Sequence, residues 1–380
     1  MDSISRSSSS SDIIGNNADL FTQILLCLPV KPLLVFKSVS KQWFSAISDP
    51  LFIKQHTQKQ NLRSLMVQTA SKKPTFDFIS LDGSSSSSVS FETLDFLRAR
   101  IKQSCNGLLC CSSHNKDNEI FTYYICNPST KQYRRIVDFT VDMAKEKGFE
   151  MLVSVSLAYD PLKSPHYKAI CVWKMSPEQC IRWSYRIKIY SSETDSWKLC
   201  VDVFFLLPCI INTSGVYWNG SLHWVDTWDH ENHICFNVDQ ELRSGMPPCS
   251  SLVYSTAYSV VEYFGECRGR LHHISRYGHP QVACIIDILE MKTDYTGWIK
   301  NFRVNTPEFP YPVLLSGFCV LHMEEVGDSF RLVLKIQDQV ISYDPHERSF
   351  ADLYKFASKT WEKIPRRDSS YHYIETLASV

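Results

Sequence analysis

Over residues 18–43 apolar positions crowd the chain at helical spacing. Leu20, Phe21, Ile24, Leu25 and Leu28 recur as one helix face, and Leu26 and Cys27 carry the apolar surface further round it. One side of so short a helix cannot bury all of this. A module of roughly 35 residues is also too small to be stable on its own apolar burial, so another chain is expected to cover a second surface. Pro29 ends the first helix. Pro32 lacks an N–H and has φ preset near the helical value, so it suits the first turn of a second helix. That helix carries Leu33, Phe36 and Val39 inward and leaves Lys31, Lys37 and Lys41 in water, and Leu25 and Val39 are assigned to the core. Trp43, Phe44 and Ile47 continue the apolar set. Asp49 before Pro50 predicts a cap and first turn for a further helix through Leu51, Phe52 and Ile53. Periodicity alone equally allows an ordinary N-terminal helical subdomain.

Beyond residue 60 the helical period disappears and alternation replaces it. Segments 64–68, 76–81 and 89–96 are predicted strands, and a degenerate repeat then runs to the C-terminus. One half of the repeat is a strand, an Asn, Asp or Pro turn, and an aromatic. Examples are Tyr124-Ile125-Cys126-Asn127-Pro128 leading to Tyr133, and Ile189-Tyr190-Ser191 leading to Trp197. Weaker copies surround Asn237, Asp287 (leading to Trp298) and Asp344 (leading to Phe350). The other half is a glycine turn opening a strand, at Asn106-Gly107, Asn219-Gly220 and Arg268-Gly269. Repeats spaced by roughly 45 to 65 residues, each worth a small antiparallel sheet, predict a β-propeller, with a pair of β-sandwiches as the alternative. The final residues, with Tyr373, Ile374 and Leu377, are expected to supply a strand that closes the ring. The fold class is therefore α+β and multidomain: a small all-α module followed by an all-β propeller-like domain. Its predicted parts are a disordered serine-rich tail over 1–15, the helical module over 16–60 and the β domain over 62–380. A second serine run, 84–88, reads as a surface loop.

Charge narrows the partners. Lys plus Arg and Asp plus Glu each number 40, a formal net charge of zero, so nothing recommends nucleic acid or an anionic membrane. The greasy N-terminal stretch is broken by Pro29 and Lys31 before it spans a bilayer, and no signal peptide precedes it; a cytoplasmic and/or nuclear location is expected. Fourteen cysteines raise disulfides and metals. They show no Cys-x-x-Cys pair, and His272-His273 has no cysteine partner at zinc-finger spacing, so they read as small buried hydrophobes and no metal is expected. Catalytic parts are also missing: there is no Gly-x-Ser-x-Gly elbow, phosphate loop or His-Glu-x-x-His helix, and no cofactor is implied. Asp160, Asp239 and Asp287 are assigned to turns, where carboxylates bond backbone, and His223, His272, His273 and His279 to strands or loops. Binding is expected on the loops 140–150, 226–233 and 275–281, with Trp228 and Tyr277 as candidate anchors for a partner protein.

The run Leu28-Pro29-Val30-Lys31, then Leu33, Phe36-Lys37-Ser38-Val39-Ser40-Lys41, Trp43 and Ile47-Ser48-Asp49-Pro50-Leu51-Phe52 resembles the F-box of plant F-box proteins. Asn106-Gly107-Leu108, Asn127-Pro128, Tyr159-Asp160-Pro161 and Tyr343-Asp344, in that order behind it, resemble the F-box-associated, kelch-like domain of the same proteins. The resemblance implies a non-catalytic substrate receptor that binds a Skp-type adaptor, and through it a cullin, for protein ubiquitination; an F-box scaffold or decoy without ligase activity is the alternative. Transferred by position, Leu20, Ile24, Leu28, Pro29, Val30, Leu33 and Trp43 face the adaptor or support that face. Trp43 stays divided between core packing and direct contact. Where many family members begin the first helix with Leu-Pro, this chain has Asn16-Asn17, which implies one apolar adaptor contact fewer.

Overall fold

The computed structural model describes residues 18–59, 64–68, 76–81, 99–115, 117, 120–140, 150–175, 183–200, 204–206, 213–225, 233–249, 259–278, 284–305, 318–327, 329–356 and 370–380. The serine runs, segment 89–96, Trp228 and His279 lie outside them, as do most of loops 140–150 and 226–233 and part of 275–281.

Among the described residues four short helices come first: α1 (Ala18–Leu25), α2 (Val30–Phe36), α3 (Lys41–Ser48) and α4 (Pro50–Lys59). Each break has a local cause. Pro29 occupies the N-cap of α2 in an extended conformation, and the Ser40 hydroxyl accepts the Trp43 amide at the start of α3. Asp49 Oδ1 accepts the Leu51 and Phe52 amides at 2.7 and 3.2 Å, the predicted cap of α4. Leu25, Leu26, Val30, Leu33, Ile47 and Phe52 form the module's core.

The rest is β. Six antiparallel sheets follow one another among the described residues. Blade I joins β1 (Ser64–Gln68) and β2 (Phe76–Ser80) to the last strand, β24 (Ser370–Tyr373), so the two ends of the domain meet in one sheet, as anticipated for Tyr373. Blade II comprises β3 (Arg100–Cys105), β4 (Leu108–Asn115), β5 (Ile120–Asn127) and β6 (Gln132–Thr140). Blade III comprises β7 (Glu150–Ala158), β8 (Lys168–Met175), β9 (Trp183–Ser191), β10 (Ser196–Leu199) and β11 (Phe204–Leu206). Blade IV holds β12 (Val216–Trp218), β13 (Ser221–Trp224), β14 (Ile234–Asn237) and β15 (Leu242–Gly245). Blade V holds β16 (Ser259–Cys267), β17 (Arg270–Tyr277), β18 (Ile285–Met291) and β19 (Trp298–Asn305). Blade VI holds β20 (Phe318–Val326), β21 (Ser329–Ile336), β22 (Gln339–Asp344) and β23 (Ser349–Lys355).

Alternation turns this list into a ring. A strand covered on both faces sends successive side chains to opposite neighbours, and each of the six interfaces has its own buried cluster. In β1, Met66 packs toward blade II while Leu65 and Val67 pack toward blade VI. In β4, Leu109 and Cys111 face blade I while Leu108 and Cys110 face blade III. In β8, Ala169 and Cys171 face blade II while Ile170 and Val172 face blade IV. Blades IV and V meet over Trp218, Leu271 and Trp298, and blades V and VI over Ile274, Ile286 and Leu332. Six sheets joined by six interfaces make a propeller, and the sandwich pair is excluded.

Turns keep the register. Asn106-Gly107, Asn219-Gly220 and Arg268-Gly269 all have positive φ, which builds the two-residue hairpin turn between the first and second strands of blades II, IV and V. Between third and fourth strands a single left-handed residue recurs: Lys131, Asp195, Glu241, Tyr295 and Arg348. Asn127, Asn237 and Asp344 brace three of these turns by accepting amides two and three residues on.

Asp287 corrects the sequence reading. It lies inside β18, fully buried, and the actual turn is carried by residues 292–297. Arg303, its cross-strand partner on β19, grips it with two hydrogen bonds of 2.6 Å, and Lys300 Nζ stands 3.3 Å away. A buried carboxylate held this way is costly to unpair. Arg303→Ala is expected to destabilise the chain by about 3 kcal/mol, read as a lower urea midpoint at unchanged m-value.

Candidate functional site

The helical module covers its core and still leaves six large apolar side chains in solvent: Leu20, Ile24, Val35, Val39, Phe44 and Leu51. Their exposures run from 42% for Leu20 and Ile24 to 65% for Val35, on a unit of only about forty residues. Each helix explains its share. In α1, Leu20 and Ile24 stand one turn apart on the outer face, while Leu25 turns inward and is 1% exposed. In α2, Val30 and Leu33 point into the core and Val35 leaves from the opposite side. In α3 the division falls between Ile47 inside and Phe44 outside, and in α4 between Phe52 inside and Leu51 outside.

Of the residues assigned to the adaptor side, Leu20, Ile24 and Pro29 are exposed, and Leu28 and Trp43 are half-buried. Val30 and Leu33 are fully buried and belong to the supporting core. Trp43 sits between Phe21 and Phe36, with edge-to-face ring centroids at 4.9 and 5.0 Å, so it holds α1 and α2 together beneath the surface. Val39 is a correction: assigned to the core, it is 60% exposed, because α2 ends at Phe36 and the helical phase does not reach it. Val35, Phe44 and Leu51 join this surface. A helical wheel drawn separately for each short helix would have found them, whereas one continuous phase across Pro29, Ser40 and Asp49 hides them.

The module is braced internally through α4 and fastened to the propeller by the C-terminal segment. His56 on α4 bonds the Leu28 carbonyl at 2.8 Å, so that ring nitrogen carries the proton, and burial lowers the imidazole pKa. Leu377, from the last residues of the chain, enters the helical core and is 2% exposed. Its neighbours belong to the propeller. Asn127 Nδ2 donates to the Thr376 and Ala378 carbonyls at 3.0 and 2.7 Å, and Ala378 packs in the interface of blades II and III. Gly107 is required here, because a Cβ would lie 2.5 Å from the Ile374 carbonyl oxygen.

On the propeller, Tyr277 ends strand β17 instead of sitting on a loop. It is half-buried, it bonds Ser275, and burial pushes its hydroxyl pKa up to about 12. His223, His272 and His273 are all fully buried on blade strands. His223 bonds Val216 O at 3.2 Å and the Tyr295 hydroxyl at 2.8 Å, a structural bridge across blades IV and V. Asp160 and Asp239 do lie in turns, Asp160 accepting the Leu162 amide and Asp239 pairing with Lys168 at 2.9 Å. Ten of the twelve described cysteines are buried and none is bridged. Cys126, Cys171 and Cys235 lie in strands as expected; Cys284 lies one residue before β18.

The family model for the F-box associated beta propeller domain matches residues 57–273, more than half of the chain, and the F-box domain matches residues 18–55. This chain belongs to the F-box associated β-propeller family. The F-box match coincides with the four helices. The family match stops inside blade V, and the structure carries the propeller on through blade VI to the closing strand. Among curated relatives of this F-box protein, one F-box protein of Arabidopsis thaliana is 27% identical over 98% of this chain and 94% of its own length. A second from the same plant is 34% identical over 54% of this chain and 57% of its own length. Among solved structures, a chain of a nidogen/laminin complex aligns with TM-score 0.45 and 12% identity, covering 83% of this chain and 99% of that one. TolB from Acinetobacter baumannii aligns with TM-score 0.41 and 10% identity, covering 84% and 70%. Among the described residues no helix is long and apolar enough to cross a membrane.

Proposed function

We propose that the chain is the substrate-recognition subunit of a Skp-cullin-F-box ubiquitin ligase. The F-box would bind a Skp-type adaptor, the adaptor would bring the cullin, and the propeller would hold a target protein. The observation that carries this reading is the apolar surface left over a finished core. Leu25, Leu26, Val30, Leu33, Ile47, Phe52 and Leu377 form a buried core that includes none of the six exposed residues, which leaves their outward apolar surface to a partner.

In this role the chain supplies position, not a nucleophile. Its best-formed carboxylates are already committed: Asp287 to Arg303 and Lys300, and Glu262 to Arg276 at 2.8 Å. A target held beside a charged ubiquitin-conjugating enzyme meets it at a high effective concentration, and that proximity is the contribution. The direct junction through Leu377 and Asn127 suits the task, since a rigid receptor keeps target lysines at a fixed reach.

A reconstituted reaction tests this. Proteins captured by the full chain are incubated with adaptor, cullin, RING subunit and ubiquitin-conjugating enzyme. At least one captured protein is expected to acquire ubiquitin only when this chain is present and to lose the modification with Leu20→Ala/Ile24→Ala. Complex formation with adaptor and cullin but no dependent ubiquitination of any captured protein would instead support a scaffold or decoy.

A further inference from the structure

Blades IV and V enclose three metal-ligating side chains that their sequence spacing conceals. His233 immediately precedes β14, Cys249 follows β15 and His273 lies in the middle of β17. Folding brings one donor atom of each within 4.8 Å of the others, and all three residues are buried, at 2%, 1% and 0% exposure. We propose that His233, Cys249 and His273 bind a zinc(II) ion in the interface between blades IV and V.

The donor set suits the ion. Two imidazoles and a thiolate are borderline and soft ligands, preferred by zinc over calcium or magnesium, which take oxygen donors. With Zn–N near 2.0–2.1 Å and Zn–S near 2.3 Å, tetrahedral geometry places donors about 3.3–3.6 Å apart, so the observed cluster closes by at most about 1.5 Å. Three donors fill three vertices and a water molecule takes the fourth. The thiol proton of Cys249 leaves to solvent as the metal enters.

The surroundings hold the donors in place. Ser275 Oγ lies 3.1 Å from His273 Nδ1, the kind of second contact that orients a ligating imidazole. The edge of Trp298 meets the same ring at a centroid distance of 5.6 Å. The segment bearing Cys249 is pinned at two points: the Met246 amide donates to the His233 carbonyl at 3.0 Å, and Trp298 Nε1 donates to the Pro247 carbonyl at 2.9 Å. Trp218, Met246, Leu271, Leu289 and Met291 complete an apolar shell around Cys249. Zinc here would tie the chain that leaves blade IV to the central strand of blade V.

The test uses the full-length chain, stripped with chelator and titrated with cobalt(II) as a spectroscopic stand-in, then with zinc(II). One equivalent of cobalt is expected to give tetrahedral visible absorption with a thiolate-to-metal charge-transfer band, both erased by zinc, and zinc is expected to raise the Tm. Cys249→Ser should abolish the charge-transfer band and weaken binding at least about 100-fold. Ser275→Ala keeps all three donors and should weaken binding about 10-fold with the band retained, which holds even where the cysteine variant folds poorly. A folded wild-type chain that takes up no stoichiometric cobalt or zinc overturns the proposal. So does a Cys249→Ser chain that keeps the thiolate band, because another cysteine is then the ligand.

Discussion

Replacing Leu20 and Ile24 together by alanine is expected to weaken binding of a Skp-type adaptor by about 100-fold while shifting the Tm of the chain by no more than about 2 °C. The two effects separate because both side chains lie outside the core. Alanine is a good helix former, so α1 keeps its intrinsic stability, and removing exposed apolar atoms leaves no cavity. At an interface the same truncations each remove roughly 1–2 kcal/mol of buried contact. Substitutions one layer deeper behave differently. Leu33→Ala opens a cavity among Leu25, Val30, Ile47 and Leu377 and is expected to cost about 3 kcal/mol, so binding falls because the module unfolds. Calorimetric titration of adaptor, paired with thermal melts of each variant, distinguishes the two. Loss of binding at constant Tm for Leu33→Ala, or large unfolding by Leu20→Ala/Ile24→Ala, would reverse the assignment of surface and core.

The second large effect is expected at the junction of the two domains. Asn127 is fully buried and does four jobs: its amide nitrogen holds the Thr376 and Ala378 carbonyls, and its oxygen accepts the Ser129 and Thr130 amides. Asn127→Ala removes these bonds at a stroke and strands buried carbonyls, for a cost of about 3 kcal/mol. Leu377→Ala leaves the tail's hydrogen bonds in place but empties a site in the F-box core, at about 2–4 kcal/mol. Both variants should free the F-box from the propeller. Limited proteolysis is expected to cut faster between the domains, and small-angle scattering to show a wider distribution of sizes. Adaptor affinity should change little for Asn127→Ala, since the helical core does not contain it. Equal protease resistance of wild type and both variants would show that the tail does not fasten the domains.

Much of this architecture was legible in the sequence. The alternation in residues 64–68 and 76–81, the glycine hairpins and the Asn or Asp turns are local signals, and β1, β2 and the blade hairpins follow them closely. The helix breaks at Pro29 and Asp49 were equally plain. What the sequence hid was nonlocal. Asp287 looked like its turn-forming counterparts Asn127 and Asp344 because its partners, Lys300 and Arg303, arrive only through strand pairing. Leu377 looked like part of a closing strand, although β24 ends at Tyr373 and Leu377 crosses into the helical core. His233, Cys249 and His273 are separated by stretches with no spacing motif and meet only when blades IV and V pack. Cysteine spacing was therefore a fair test for a local zinc finger and no test for a site assembled from two blades.

The most direct test of the central claim is light scattering of the full-length chain mixed with a Skp-type adaptor and separated by size. A monodisperse one-to-one complex that persists at micromolar dilution, and that Leu20→Ala/Ile24→Ala fails to form, is the predicted result. A correctly folded wild-type chain that elutes apart from the adaptor, or a double variant that binds as well as wild type, would contradict it.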